Sequence, residues 1–295
     1  MNNLPNLLIV GAAKSGTTSL HNYLNQHPDI FMCSPKEPHF LINKEIGEER
    51  IPKGVLNIED YQSLFDGNND VLYRGESSVM YLLFSKIAIN NIKKYLGEKV
   101  KIIIMLRNPV DRAYSGYQHV KRYNLMENLS FEEALKKSQE RYDKNKNMTP
   151  ASRYLELGMY HDQVKNFKQE FENVHVIFYD DYKNQFEQEI KKVFSFLDLK
   201  SIEINTDKKH MVGGWEWNNN LIKRIMLKKN PVKLFVKFLM PRIIINFIKG
   251  ILQKRNTSDV PEMSNETKNW LKEYYKEDVE KLSILLKRDL SKWAE

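Results

Sequence analysis

The chain has 295 residues, with 46 Lys and Arg against 38 Asp and Glu, for a net charge of +8. Apolar residues make up 41% and aromatics 11%, enough for a sizeable core, which excludes a globally disordered chain; at this length about three quarters of the unfolded surface can be buried. A single cysteine, Cys33, excludes an intramolecular disulfide and a Cys-rich zinc site, and no run of 18 uncharged apolar residues offers a spanning helix.

In chain order, residues 7–10 are a short apolar run ending in Gly11, as a buried parallel strand would. Residues 17–26 read as a helix, with Thr17, Thr18 and Ser19 at its mouth and Leu20 and Leu24 on one face. Residues 30–32 form a second strand. Pro35, Pro38, Gly47, Pro52 and Gly54 mark 33–58 as loop. A third strand is predicted at 71–73, then a helix over 86–96 that closes at Gly97. The strongest strand is 100–106, and Asn108-Pro109 turns it into a helix to about 125. Ser130 with Glu133 spells a capping box. A helix over 160–171, a strand over 174–179 and a helix over 187–197 follow. This alternation predicts an α/β fold with a mostly parallel sheet covered on both faces. The N-terminus lacks a basic region or cleavage site, so a cytoplasmic protein without a signal peptide is expected.

Two junctions carry chemistry. Gly11-Ala12-Ala13-Lys14-Ser15-Gly16-Thr17-Thr18-Ser19 is a strand–loop–helix corner. Small residues there let the backbone approach an anion, and the helix-mouth N–H groups and Lys14 suit phosphate or sulfate oxygens. The loop differs from a Walker A loop, because Lys14 precedes the second glycine. The second junction runs from the strand 102–106 through Arg107-Asn108-Pro109 to Ser115. A P-loop kinase often places an Asp at such a strand end to help hold Mg²⁺. Arg107 suits a second anion instead, unless Arg107 and Arg112 simply pair with Asp111 and other nearby carboxylates.

Together these segments resemble the PAPS-dependent sulfotransferases, above all the heparan-sulfate-type and bacterial carbohydrate sulfotransferases. Lys36-Glu37-Pro38-His39-Phe40, the stretch from Gly75-Glu76-Ser77-Ser78 to Leu82, Leu157-Gly158-Met159-Tyr160 and a late Lys209-His210-Met211-Val212-Gly213-Gly214 loop extend the resemblance over roughly 6–215. It implies a P-loop-containing nucleotide-binding fold. It also implies that Lys14 contacts the moving sulfuryl group, while Ser15, Gly16, Thr17, Thr18 and Ser19 cradle the 5′-phosphate. Arg107 and Ser115 would hold the 3′-phosphate, and Lys209, Gly213 and Gly214 would lie against the nucleotide. Glu37 matches the general base, with His39 as the competing base, since imidazole titrates near neutral pH. The donor would be PAPS, the product 3′,5′-phosphoadenosine (PAP), and no metal is required.

Residues 217–258 hold ten basic residues and no acidic one, so that segment carries +10 and the rest of the chain −2. Pro231 and Pro241 are expected to divide it into two short apolar-basic helices, and 264–287 reads as a closing amphipathic helix. The whole chain is expected to be one domain, with 1–216 as the nucleotide-binding core and 217–295 as a helical cap. The expected acceptor is a hydroxyl or amine of a carbohydrate or glycolipid. The basic segment offers a peripheral contact with an anionic membrane surface, a path for an anionic glycan, or plain surface helices. No nucleic-acid partner is expected, because the segment's phenylalanines sit at helical core spacing rather than on a stacking sheet. The rival readings are an ATP–Mg²⁺ small-molecule kinase and a non-catalytic membrane-surface module.

Overall fold

The computed structural model describes residues 3–67, 70–207, 214–227, 250 and 255–294. Five strands, β1 (Leu7–Gly11), β2 (Ile30–Met32), β3 (Tyr73–Ser77), β4 (Lys101–Leu106) and β5 (Val174–Phe178), form one sheet in the order β2-β3-β1-β4-β5. Every pairing in it is parallel.

The apolar runs divide between the two faces as the strand period of two requires. Leu8 and Val10 of β1, with Ile102, Ile104 and Leu106 of β4, enter one buried cluster. Leu7 and Ile9, with Ile103 and Met105, enter the other. The second face is covered by α1 (Thr17–Leu24) and α9 (Phe186–Phe196), through Leu20, Leu24, Ile190, Val193 and Phe194. The first face is covered by α2 (Phe40–Ile46), α4 (Ser85–Tyr95), α5 (Pro109–Tyr123), α6 (Phe131–Lys144), α7 (Tyr160–Glu170) and the long α11 (Asn265–Leu286). Leu271, Tyr275, Val279 and Leu282 carry α11 into the same cluster as the strands.

Local chemistry explains most of the ends. The capping box on α6 is formed, with both Ser130 and Glu133 engaged. Gly97 takes φ 83° just past α4, and its N–H donates to the Ile92 carbonyl at 3.0 Å. Ser264 caps α11 by accepting the Thr267 N–H at 3.1 Å.

The structure corrects the sequence reading in four places. The stretch 33–58 is not all loop, because α2 lies within it. The third strand is Tyr73–Ser77 rather than 71–73: Tyr73 is the first residue level with β2, and Leu72 before it is 60% exposed. Two helices were not anticipated, α3 (Ile58–Ser63) and α8 (Tyr179–Asn184). The basic segment rises from an antiparallel ribbon of β6 (Trp215–Trp217) and β7 (Thr257–Asp259), and one short helix, α10 (Asn220–Leu227), follows β6. The helices expected around Pro231 and Pro241 lie outside the described residues. Among the described residues no helix is long and apolar enough to cross a membrane.

The chain leaves β1 toward β2 on one side and later adds β4 on the other. The carboxyl ends of β1 and β4 therefore flank a switch point, where parallel sheets hold their ligands.

Candidate active site

The corner after β1 supplies the first anion-binding element. Gly16 adopts φ 90° and ψ 5° at the N-cap of α1, with no side chain capping the helix and no acidic residue in its first turn. Its free N–H groups and positive dipole end are left for a ligand. Gly16 is required twice over. The left-handed backbone strains any L side chain, and a Cβ there would meet the Tyr179 ring at 3.1 Å. Gly16→Ala is expected to destabilise the fold by about 1–3 kcal/mol. A denaturant melt checks this; an unchanged midpoint would mean that the Tyr179 ring simply yields.

Lys14, with φ 69°, sits on the same loop. Burial comes first among the causes that push its pKa down to about 8, followed by repulsion from Arg122 and Arg107. Glu37 pulls the other way, and Lys36 adds to the repulsion. Arg107, at the end of β4, donates from Nη1 to the Lys14 carbonyl at 3.4 Å and lies 5.0 Å from the Tyr179 ring centroid. The Tyr160 hydroxyl donates to the Arg107 carbonyl at 3.0 Å, tying α7 to this corner. Asn108 caps α5 by accepting the Val110 N–H at 2.9 Å.

Thr17 and Ser15 are buried, and Thr18 and Ser19 are partly open at the mouth of α1. The Ser19 hydroxyl lies 3.1 Å from the Tyr182 hydroxyl of α8. Gly214, with φ 92°, opens the β6–β7 ribbon and accepts the Val260 N–H at 3.1 Å. Lys209 and Gly213 lie outside the described residues.

Glu37 and His39 stand on the loop after β2. The Glu37 N–H donates to the Ser77 carbonyl at 3.1 Å, holding the loop across the end of β3. Lys36 Nζ donates to Glu37 Oε1 at 2.8 Å, and His39 Nε2 lies 3.3 Å from Glu37 Oε2. Burial opposes ionisation of Glu37. The His39 hydrogen bond and the charges of Lys36 and His39 outweigh it and hold the carboxyl well below the usual carboxylate range. The Glu37 side chain is 38% exposed while that of His39 is 9% exposed, so Glu37 is the more accessible of the two.

A buried hydroxyl network fixes this loop. Glu76 of β3 is fully buried. It accepts from Tyr61 at 2.6 Å, Tyr81 at 2.7 Å and Ser78 at 2.6 Å. Burial raises the Glu76 pKa, and the three hydroxyls oppose that rise. Ser78 Oγ in turn accepts the His39 N–H at 3.0 Å, so the network reaches the candidate base.

Sequence reasoning missed two residues that the fold brings to the same place. Ser115, His119 and Arg122 lie on one face of α5 at spacings of four and three. Burial pushes His119 down to about 4, aided by Lys14 and Arg122 and opposed by Glu37, so it stands as a neutral imidazole among these charges. Arg122 Nε donates to the Trp215 carbonyl at 2.8 Å, with its guanidinium 4.5 Å from the Trp215 ring centroid. Lys121 pairs with Glu216 at 3.1 Å. The foot of the basic segment is thus clamped to α5 beside Lys14. The i, i+4, i+7 spacing from Ser115 was the one available signal.

Two further polar side chains have structural partners. His21 of α1 is buried, its Nδ1 lies 2.8 Å from Ser77 Oγ, and burial lowers its pKa to about 4. Asp181, which follows β5, pairs with Arg288 at 2.7 Å and joins α8 to the chain after α11, a structural role.

The chain is similar in sequence and in fold to known sulfotransferases. The chain is 35% identical over 117 residues to the bifunctional heparan sulfate N-deacetylase/N-sulfotransferase 1 of Caenorhabditis elegans, covering 40% of this chain and 13% of that one. It is 26% identical over 249 residues to carbohydrate sulfotransferase 15 of Mus musculus, covering 66% of this chain and 44% of that one. The chain therefore spans less than half the length of either relative. A crystal structure of a sulfotransferase from Alicyclobacillus acidocaldarius superposes with a TM-score of 0.75 at 29% identity, over 99% of both chains. Residues 4–213, well over half of the chain, match the profile of the sulfotransferase domain, and the chain belongs to that family.

Proposed function

We propose that this protein transfers a sulfuryl group from PAPS to a hydroxyl or amine of a carbohydrate or glycolipid acceptor. The observation that carries the reading is the meeting of an uncapped helix mouth, Lys14 and the ionised Glu37 at the carboxyl edge of one sheet.

The chemistry follows from those groups. The 5′-phosphosulfate lies on the loop from Lys14 to Ser19, whose N–H groups receive its oxygens. Arg107 and Ser115 take the 3′-phosphate. The acceptor oxygen or nitrogen attacks sulfur in line. As that bond forms, the bond from sulfur to the bridging phosphate oxygen breaks and PAP leaves. Lys14 balances the charge that develops on the bridging oxygen. The acceptor proton passes to Glu37, which Lys36 and His39 hold ionised and in place. Carbohydrate acceptors are supported by the names of the relatives, one a carbohydrate sulfotransferase and one a heparan sulfate N-sulfotransferase.

A thermal-shift titration tests the donor. PAP without Mg²⁺ is expected to stabilise the protein, by about 2.7 kcal/mol at a hundredfold excess over Kd. Arg107→Ala is expected to lose most of that shift. Stabilisation by ATP–Mg²⁺ with none by PAP would favour the kinase reading instead. An acceptor screen with labelled PAPS over glycans and glycolipids then identifies the class, and transfer to neither would remove the carbohydrate assignment.

A further inference from the structure

The helix α10 turns apolar residues to solvent. Asn219 sets its start, accepting the Leu221 and Ile222 N–H groups at 2.8 and 3.3 Å. Leu221, Arg224 and Ile225 then fall at i, i+3 and i+4 and share one face. Leu221 is 68% exposed and Ile225 64%, and Arg224 on the same face is exposed as well. Lys223 points the other way and is only 6% exposed. A helix packed on a soluble body ordinarily does the reverse, burying its leucine and isoleucine and holding its lysine in water. Single exposed leucines are common, but a pair on one turn with a lysine buried behind it makes an outward apolar face.

This face stands at the root of the basic segment. The Asn218 N–H donates to the Asn256 carbonyl at 2.9 Å, so the β6–β7 ribbon holds the two ends of the segment together. Arg122 and Lys121 tie that ribbon to α5, the helix that carries Ser115. Residues 217–258, with ten basic and no acidic side chains, thus begin and end at one place beside the candidate site. Charge and apolar face together narrow the occupant. A soluble anionic glycan would answer the charge but leave Leu221 and Ile225 in water. A second copy docked by the same face would bring its own +10 against the first. An anionic bilayer answers both, since its headgroups attract the basic residues and its acyl boundary receives the apolar side chains.

We propose that α10 is a membrane-docking helix: its Leu221 and Ile225 face enters the surface of an anionic bilayer, and the basic segment at whose root it stands supplies the attraction. The docking goes beyond the sulfuryl-transfer reading and stands without it. On that reading it has a consequence for the acceptor, because a site held at a bilayer meets a glycolipid rather than a free glycan.

The test is co-sedimentation of the full chain with vesicles of phosphatidylcholine alone and of phosphatidylcholine and phosphatidylglycerol in equal parts. The parent is expected to bind the mixed vesicles, to bind the neutral ones about tenfold more weakly, and to lose most of its binding in molar salt. Leu221→Ser combined with Ile225→Ser is expected to weaken binding to the mixed vesicles about tenfold with every charge kept. Its thermal shift with PAP is expected to equal the parent's, because neither residue belongs to the nucleotide site. Leu221→Trp is expected to strengthen vesicle binding. A parent that ignores the mixed vesicles would overturn the inference. Capture of dextran sulfate in its place would assign the charge to a glycan, and a dimer that the double substitution splits would assign the face to a second copy. A folded double variant that binds vesicles like the parent would also overturn it, as would a Leu221→Trp protein that binds them more weakly. Vesicle binding by a parent that PAP does not stabilise would keep the docking and remove the sulfuryl-transfer reading.

Discussion

Lys14→Ala is expected to lower sulfuryl transfer by about 10²–10³-fold, the usual effect of deleting one preorganised donor to a developing charge. The protein should remain folded, because Lys14 is a half-buried cation repelled by Arg122 and Arg107. Burial and that repulsion set its pKa near 8, and a bound anion reverses the balance by raising it. The sign follows directly. Below about pH 8 Lys14 is already charged in the free protein and contributes fully to binding. As pH rises through 8 the free lysine loses its proton, so binding must take one up and PAP affinity falls. Calorimetry in buffers of different ionisation enthalpy should detect uptake of a proton near pH 8 to 9 in the parent and none from this group in Lys14→Ala. Transfer within about threefold of the parent in that variant would remove Lys14 from the transition state.

The same residue shows why part of the site is legible in the sequence. The run Leu7 to Gly11 has the composition of a buried strand, and a lysine, a glycine and hydroxyl residues follow at once. Strand, corner and helix mouth are all local features, so one stretch of chain specifies them. Arg107 was legible for the same reason, since β4 and the Asn108-Pro109 start of α5 are adjacent in sequence.

What escaped depends on long-range partners. The strand β3 contains Arg74, Gly75 and Glu76, which do not resemble a core strand. Glu76 is buried because Tyr61, Tyr81 and Ser78 converge on it from other segments. The helix α2 is seven residues long and lies between Pro38 and Gly47, so the punctuation that suggested loop in fact frames a helix. Nothing local marks His21 as buried; that follows from β3, which places Ser77 against it. His119 and Arg122 required knowing which face of α5 turns toward Lys14. The +8 that suggests an anionic partner is also more local than it first looks. It resides in the basic segment, yet Arg122 and Lys121 clamp the foot of that segment beside the candidate site. Charge and site are neighbours without being the same feature.

Glu37→Gln separates base catalysis from binding, and its expected effect is a fall in turnover of about 10²–10⁴-fold. The amide is nearly the same shape and can still accept from Lys36, so the loop held by Ser77 and Ser78 should stay in place. PAP stabilisation should therefore remain close to that of the parent. Two opposing requirements meet at this carboxylate. Lys36 and His39 keep it ionised at neutral pH, as a proton acceptor must be, but the low pKa they impose weakens its pull on an alcohol proton. Transfer of the proton then falls late, once the oxygen–sulfur bond has made the acceptor acidic. The activity of the parent should accordingly show no loss from protonation of Glu37 as pH is lowered through about 4, where an ordinary glutamate would titrate. His39 is the poorer base on geometry. Its Nε2 is turned to Glu37 and its Nδ1 is enclosed without a partner, so neither nitrogen is open to an entering acceptor. A fully active Glu37→Gln protein would contradict that geometry and assign the proton to His39. A variant that loses turnover and PAP stabilisation together would instead make Glu37 part of the nucleotide site.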